Sequence, residues 1–211
     1  MDLILGSSSK FRLSLMEKAG YQNVVVIPPD IDEKAIRDSD PVKLVTQITL
    51  AKSDAVAAKC SGKNAIIITS DQVAYHFVDK KILEKPLDEN GVPSREIARE
   101  MLKSYAHSPV QTFTGWSVYN LGINRRPHSV DVVTLYLRPF SDSEIEEMLD
   151  DPVTYDACGA LAYGLDGSRA SELMTEHVIR MVGDEDSFIG LPMSHIRQAL
   201  AALGYRKSMT A

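Results

Sequence analysis

Leu3-Ile4-Leu5-Gly6-Ser7-Ser8-Ser9-Lys10-Phe11-Arg12 is the stretch on which the reading of this chain turns. Leu3 to Leu5 is a short apolar run, Gly6 and three serines break it, and Lys10-Phe11-Arg12 opens a helical pattern. A strand, a tight hydroxyl-rich loop and a helix start therefore follow one another. That order brings unpaired backbone N–H groups and the positive end of a helix dipole together beside two cations, which makes a seat for phosphate. It is equally the ordinary entry to a first helix under a serine cap. Segments further along the chain have to separate the two.

Working outward, the first helix runs from Ser8 or Ser9 to Ala19 and stops at Gly20. Val24-Val25-Val26-Ile27 reads as a strand ended by Pro28-Pro29, and a polar loop, 30–34, follows. Asp40 suits an N-cap and Pro41 a first turn, where a missing N–H is harmless, so a long helix begins there with Leu44, Val45, Ile48, Ala51 and Ala55 at helical spacing. Residues 65–69 are uninterruptedly apolar, which predicts a central strand covered on both faces and ending at Ser70-Asp71-Gln72-Val73. An irregular hairpin over 73–85 turns near Asp79-Lys80, and a helix over 94–105 carries Ile97, Met101 and Tyr105 as its stripe. Long strands over 110–121 and 130–137 flank a polar turn. Ser141-Asp142-Ser143-Glu144 is a capping box for a helix reaching Leu149. Residues 158–167 read as loop or closely packed backbone, 172–182 as a strand, and Gly190-Leu191-Pro192 as the entry to a last helix closed by Gly204. Helices and strands alternate irregularly, so the fold class is α/β with a mixed sheet.

Composition narrows the function. The chain has 211 residues, 44% hydrophobic and 25% charged, with a net charge of −6. That is enough to bury a core and gives no basic face for nucleic acid. No apolar run reaches membrane-spanning length, and there is no charged leader followed by an apolar stretch. Cys60 and Cys158 stand in no metal-binding spacing and read as reduced thiols of a cytoplasmic protein. The five histidines show no metal spacing, and neither a nucleophile elbow, a Walker A lysine pattern nor a dinucleotide fingerprint occurs.

Three sets of residues remain that could carry chemistry. Asp71, at the carboxyl end of a buried strand, sits where α/β sheets place ligands; it could hold Mg²⁺ and orient or deprotonate a water, or it could simply close a turn. Asp32 and Glu33 face solvent after the second strand unless they converge with Asp71 on an oxygen-ligand site. Arg12, Lys52 and Lys85 are the phosphate-neutralising candidates. Lys52 shares a helix stripe with Ile48 and Ala55, so it either snorkels or points into a cleft, and Lys85 is held extended by Pro86.

In order, Leu3 to Arg12, Ile31-Asp32-Glu33, Ala51-Lys52, Ser70-Asp71-Gln72-Val73, Glu84-Lys85-Pro86-Leu87, Thr112-Phe113-Thr114-Gly115, Ala162-Tyr163-Gly164-Leu165-Asp166-Gly167 and Gly190-Leu191-Pro192 resemble the motifs of the Maf family of nucleoside triphosphate pyrophosphatases. The resemblance implies one domain over 1–211 with an elongated mixed sheet flanked by helices and two lobes with a cleft, similar to the inosine triphosphate pyrophosphatases. It implies hydrolysis between the α and β phosphates of a nucleoside triphosphate with Mg²⁺ or Mn²⁺. It makes Asp71 the catalytic acid, Glu33 and Asp71 the metal ligands, and Ser7, Ser8, Ser9, Arg12, Lys52 and Lys85 the phosphate-binding set. Phe11, Gln72 and Asp166 fall on three base-reading positions and look like the branch that prefers 7-methyl-GTP; an electron-rich ring attracts the cationic methylated base, and a carboxylate accepts from guanine N–H groups. The alternatives are a dTTP/UTP pyrophosphatase and a nucleotide-binding regulator of cell division with little hydrolysis. A homodimer is a further expectation. Two departures from the family pattern stand out: Lys10 replaces a usual proline, and Ala51 replaces a common glutamate.

Overall fold

The computed structural model describes residues 1–164 and 167–206. Along the chain come β1 (Asp2–Gly6), α1 (Lys10–Lys18), β2 (Val25–Val26), α2 (Pro41–Lys59), β3 (Ala65–His76), β4 (Lys81–Leu83), α3 (Arg95–Ser104), β5 (Val110–Asn120), β6 (His128–Leu137), α4 (Asp142–Asp150), α5 (Val153–Asp156), α6 (Arg169–His177), β7 (Val178–Val182), α7 (Glu185–Ile189) and α8 (Met193–Ala202). Short 3₁₀ turns occupy Glu33–Ala35 and Cys158–Ala160. The strands form one mixed sheet in the order β2-β1-β3-β5-β6-β7, with β4 paired to β3. β1 runs parallel to both β2 and β3, whereas β3–β4 and β6–β7 are antiparallel. The mixed α/β class expected from the irregular alternation is the one observed.

The chain divides into two compact units: 1–71 with 114–131 and 184–211, and 72–113 with 132–183. In the first unit, the pleat sorts the side chains of β1 and β3. Leu3, Leu5, Ile66 and Ile68 pack with Leu15 and Met16 of α1 and with Met193, Ile196 and Leu200 of α8. The alternate residues Ile4, Ala65 and Ile67 pack with Val56 of α2 and Cys60. Both faces are covered, which is why these strands read as continuous apolar runs and not as alternating ones. At about 25 cal/mol per Å², each fully buried Leu, Ile, Val or Met among them stabilises the fold by about 1.5–3 kcal/mol.

In the second unit, α3 packs on α4 and α4 on α6. Ala98, Leu102 and Tyr105 are buried there, along with Ile145, Met148, Leu149, Leu173 and Met174. Tyr105 donates its hydroxyl to Gly159 O at 2.5 Å, and burial pushes its pKa well up, so it stays protonated. Gly159 adopts φ +64°, and a Cβ there would lie 2.8 Å from that hydroxyl, so only glycine fits.

The starts of α1, α2, α3 and α4 fall where expected, each under a side-chain cap. Ser9 accepts from Arg12 N, Asp40 accepts from Val42 N and Lys43 N with Pro41 at the first position, Ser94 accepts from Ile97 N, and Ser141 with Glu144 completes the capping box. That box holds the Glu144 carboxyl below the usual range, first through the Ser141 hydroxyl and then through its N–H.

Four expectations are corrected. The central strand does not stop at Ser70 but runs through Asp71 to His76, because its continuation pairs with β4 from Ala74 to His76. Residues 169–177 form a helix, not the first part of a strand, because Ser168 caps it and Ala170, Leu173, Met174 and His177 are buried at helical spacing; only Val178–Val182 is strand. On α3 the buried stripe is Ala98 and Leu102, leading to Tyr105, one position round from Ile97 and Met101, which stay partly exposed. The strand over 24–27 narrows to Val25–Val26. The hairpin turn falls where expected, with Lys80 at φ +52°.

Candidate active site

Glu33, Lys52 and Asp71 meet. They come from the 3₁₀ turn after β2, from the middle of α2 and from the middle of β3. Lys52 Nζ lies 2.7 Å from Asp71 Oδ1 and 3.0 Å from Glu33 Oε2. The lysine and aspartate side chains are 7% and 10% exposed, whereas that of Glu33 is 47% exposed. Lys52 therefore neither snorkels nor stands alone. Its ammonium is shared between one buried and one half-exposed carboxylate, an arrangement that desolvation permits only because the partners face it directly.

The serine loop lies in the same unit. Ser7 is buried, Ser8 exposed and Ser9 partly buried. Ser9 N donates to Ser7 Oγ at 3.1 Å, and Arg12 N donates to Ser9 Oγ at 3.4 Å. The Arg12 guanidinium is anchored on neighbouring oxygens: Nε donates to Gly190 O at 2.9 Å and Nη1 to Ser7 Oγ at 3.4 Å. The first turn of α1 contains no acid, and Lys10 and Arg12 are both cationic. Cations at a helix N-terminus oppose the dipole by about 0.3–1 kcal/mol each, a placement that suits a site where an anion docks. Ser70, directly before Asp71, is fully buried and puts its hydroxyl 2.8 Å from Gly115 O and 2.9 Å from Gly190 O.

The other sequence-derived candidates are placed as follows. Phe11 is partly buried on α1. Gln72 belongs to the second unit, as does Lys85, whose Nζ lies 3.8 Å from Asp156 Oδ1 with both side chains more than half exposed. Asp166 lies outside the described residues. Asp32 precedes the 3₁₀ turn and makes no side-chain cap bond to it. Sequence reasoning missed the part played by Ser70 and by the Gly190 carbonyl. They are 120 positions apart, and no local pattern announces the pairing.

A divalent cation is compatible with this donor set. Among the described residues no group of three or more His, Cys, Asp or Glu could hold a metal ion unaided. Glu33 and Asp71 nevertheless converge, each contacting Lys52 Nζ through one carboxylate oxygen; the ammonium fills the point between those two oxygens, so a cation would be held by the other oxygens of the pair. Mg²⁺ is commonly bound by one or two carboxylates completed by substrate phosphates and waters, and a pair of carboxylates suits that pattern. On α7, burial raises the Asp186 carboxyl pKa, and the Asp184 charge adds to the rise.

The fold and these residues define an α/β protein with a serine loop at a strand-loop-helix junction and a buried carboxylate–ammonium cluster in the same unit. A family model described as "Maf-like protein" matches residues 2–203, and the chain belongs to the Maf family. It is 34% identical to a protein named 7-methyl-GTP pyrophosphatase from Idiomarina loihiensis, over 91% of this chain and 89% of that one. It is 31% identical to a 7-methyl-GTP pyrophosphatase of Dictyostelium discoideum, covering 90% and 91% of the two chains. With a dTTP/UTP pyrophosphatase of Carboxydothermus hydrogenoformans it shares 30% identity over 97% of this chain and the whole of the other. Among the described residues no helix is long and apolar enough to cross a membrane.

Proposed function

We propose that this protein is a nucleoside triphosphate pyrophosphatase that cleaves between the α and β phosphates, with 7-methyl-GTP or another modified nucleotide as its preferred substrate and the whole of 1–211 acting as one domain. The observation that carries the reading is the Glu33–Lys52–Asp71 cluster beside the serine loop, with Lys52 Nζ at 3.0 and 2.7 Å from the two carboxylates. Family membership and the relatives' names support the activity.

In this reading Ser7, Ser8, Ser9 and the start of α1 receive the phosphates, and Arg12 and Lys52 offset their charge, with Lys85 added by the family resemblance. Asp71 orients a water toward the α-phosphorus and takes its proton. The new P–O bond forms as the bridging bond to the β-phosphate breaks, and pyrophosphate leaves with the electron pair. Charge builds on that leaving group, so fixed cations stabilise the transition state more than the ground state. A Mg²⁺ or Mn²⁺ ion held by Glu33 and Asp71 would supply further charge neutralisation. Phe11 offers a ring face to the base, and Gln72, next after Asp71, and Asp166 offer polar groups to its edge. The same reading takes the protein to be a cytoplasmic homodimer. The thiols of Cys60 and Cys158 suit a reducing compartment, and sedimentation tests the dimer.

The test is a panel of canonical and modified triphosphates with Mg²⁺ or Mn²⁺, scored for pyrophosphate and for orthophosphate, on wild type and Asp71→Asn. Pyrophosphate should be the first product, EDTA should stop the reaction, and Asp71→Asn should lower kcat by about 10²–10⁴-fold with nucleotide binding retained. Orthophosphate as first product, or an Asp71→Asn variant within a few-fold of wild type, would remove the assignment. A wild-type preference for dTTP or UTP would keep the activity and replace the substrate.

A further inference from the structure

The Gly190 carbonyl accepts from two directions. Arg12 Nε reaches it from α1 at 2.9 Å, and the Ser70 hydroxyl reaches it from β3 at 2.9 Å. The same hydroxyl lies 2.8 Å from Gly115 O on β5, so its one proton is shared between two carbonyls in a three-centre arrangement. Ser70 has no exposed surface. Gly190 closes α7 with φ +125°, ψ 9°, its N–H donating to Asp186 O and Ser187 O. Only glycine adopts such a backbone readily, and the freedom that permits it also leaves the following peptide plane soft. A carbonyl on a soft turn aims well only if something fixes it.

We infer that Ser70 is a positioning residue for Arg12. Its hydroxyl fixes the Gly190 carbonyl, and that carbonyl, with Ser7 Oγ, fixes the plane and edge of the Arg12 guanidinium. Ser70 touches neither substrate nor the reacting atoms. It stands directly before Asp71 on β3, so one rigid strand sets both the acid and, through Gly190, the aim of the cation. A guanidinium recognises phosphate through a planar fork of donors, and its orientation matters as much as its charge. The sequence motif Ser70-Asp71 is thereby given two tasks, one for each of its residues. The inference rests on the proposed phosphate role of Arg12.

The experiment is equilibrium binding of inorganic pyrophosphate to wild type, Ser70→Ala, Arg12→Ala and the double variant, by calorimetry. Arg12→Ala should weaken binding at least tenfold and Ser70→Ala about three- to tenfold, while in the Arg12→Ala background the serine substitution should change nothing further; neighbours that act through one another are non-additive in this way. If Ser70→Ala does not fold, the isosteric pair Ser70→Thr and Ser70→Val isolates the hydroxyl. The threonine variant should bind pyrophosphate three- to tenfold more tightly with Arg12 present, and equally with Arg12→Ala. A loss that is the same with and without Arg12, or no loss at all while Arg12→Ala weakens binding, overturns the inference and leaves the proposed activity standing. If Arg12→Ala leaves pyrophosphate affinity unchanged, the phosphate role of Arg12 falls and this inference falls with it; turnover by wild type and Asp71→Asn then still reports on the activity.

Discussion

Replacing Lys52 by methionine removes one positive charge from between two carboxylates while keeping most of the side chain's apolar stem. The packing loss is therefore small, and the electrostatic loss is the whole effect. Asp71, whose side chain is 10% exposed, would become a buried charge without its 2.7 Å partner. Removing one partner of a buried pair typically destabilises by about 3–5 kcal/mol. The Glu33 arm is half exposed and screened, so it adds less than about 1 kcal/mol. Asp71→Asn should behave differently, because Lys52 keeps Glu33 at 3.0 Å and an amide oxygen can still accept from it; about 1–2 kcal/mol is expected there. The double variant Lys52→Met/Asp71→Asn carries no buried charge at this point, so it should be more stable than Lys52→Met alone, against the ordinary rule that two lesions are worse than one. Urea unfolding at constant pH, with the m-value checked for constancy, measures all three. If Lys52→Met lies within about 1 kcal/mol of wild type, or if adding Asp71→Asn to it fails to restore stability, the cluster is not the buried, mutually neutralised unit described above.

Three further outcomes follow from other parts of the molecule. Phe11→Ala should lower kcat/KM for 7-methyl-GTP more than for dTTP or UTP, since losing a ring face under a cationic base is worth about 0.5–2 kcal/mol; equal losses on all three would take Phe11 out of base choice. Gly115→Ala would place a Cβ 2.7 Å from both Val45 O and Thr49 Oγ1, forcing α2 off β5, and should cost about 1–3 kcal/mol in denaturant melts; a neutral substitution would show that α2 shifts freely. Burial works to raise the Asp151 pKa, but hydrogen bonds from the Ser168 hydroxyl and from backbone N–H groups of Val153, Ala170 and Arg169 outweigh it and hold the pKa low. A depressed carboxyl contributes stability above its unfolded value near 4 that is lost as pH falls through the folded value. Asp151→Asn should thus lower stability at neutral pH and flatten the acid limb below about pH 4, and an unchanged acid limb would count against that network.

The strand-loop-helix opening, the caps at Ser9, Asp40 and Ser141 and the apolar run of β3 were legible in the sequence because each is a local signal. A cap needs only a side chain and the backbone two or three residues on, and a doubly covered strand needs only consecutive apolar residues. The mixed α/β class and the family motifs were readable for the same reason. Reading failed where pairing or packing overrode local character. Ser70-Asp71-Gln72 looks like a strand end because it is polar, yet β4 supplies partners from Ala74 onward and the strand runs on to His76. Residues 172–177 adjoin a true strand and share its apolar character, yet they belong to the helix that Ser168 caps.

The residue types that could do the chemistry, an acid following a buried apolar run and cations near a serine loop, were thus determined by the sequence by itself. Only the tertiary structure decided how they are used. Lys52 had two equal readings on its helix stripe, and the choice between them depended on carboxylates 19 positions downstream and 19 positions upstream. Ser70 and Gly190 carry no signal of each other at all, since a hydrogen bond across 120 residues exists only once the strands and helices between them have packed. Hydrogen bonds and ion pairs act over a few ångströms of space, and separation along the chain says nothing about that distance until hydrophobic burial has folded the chain.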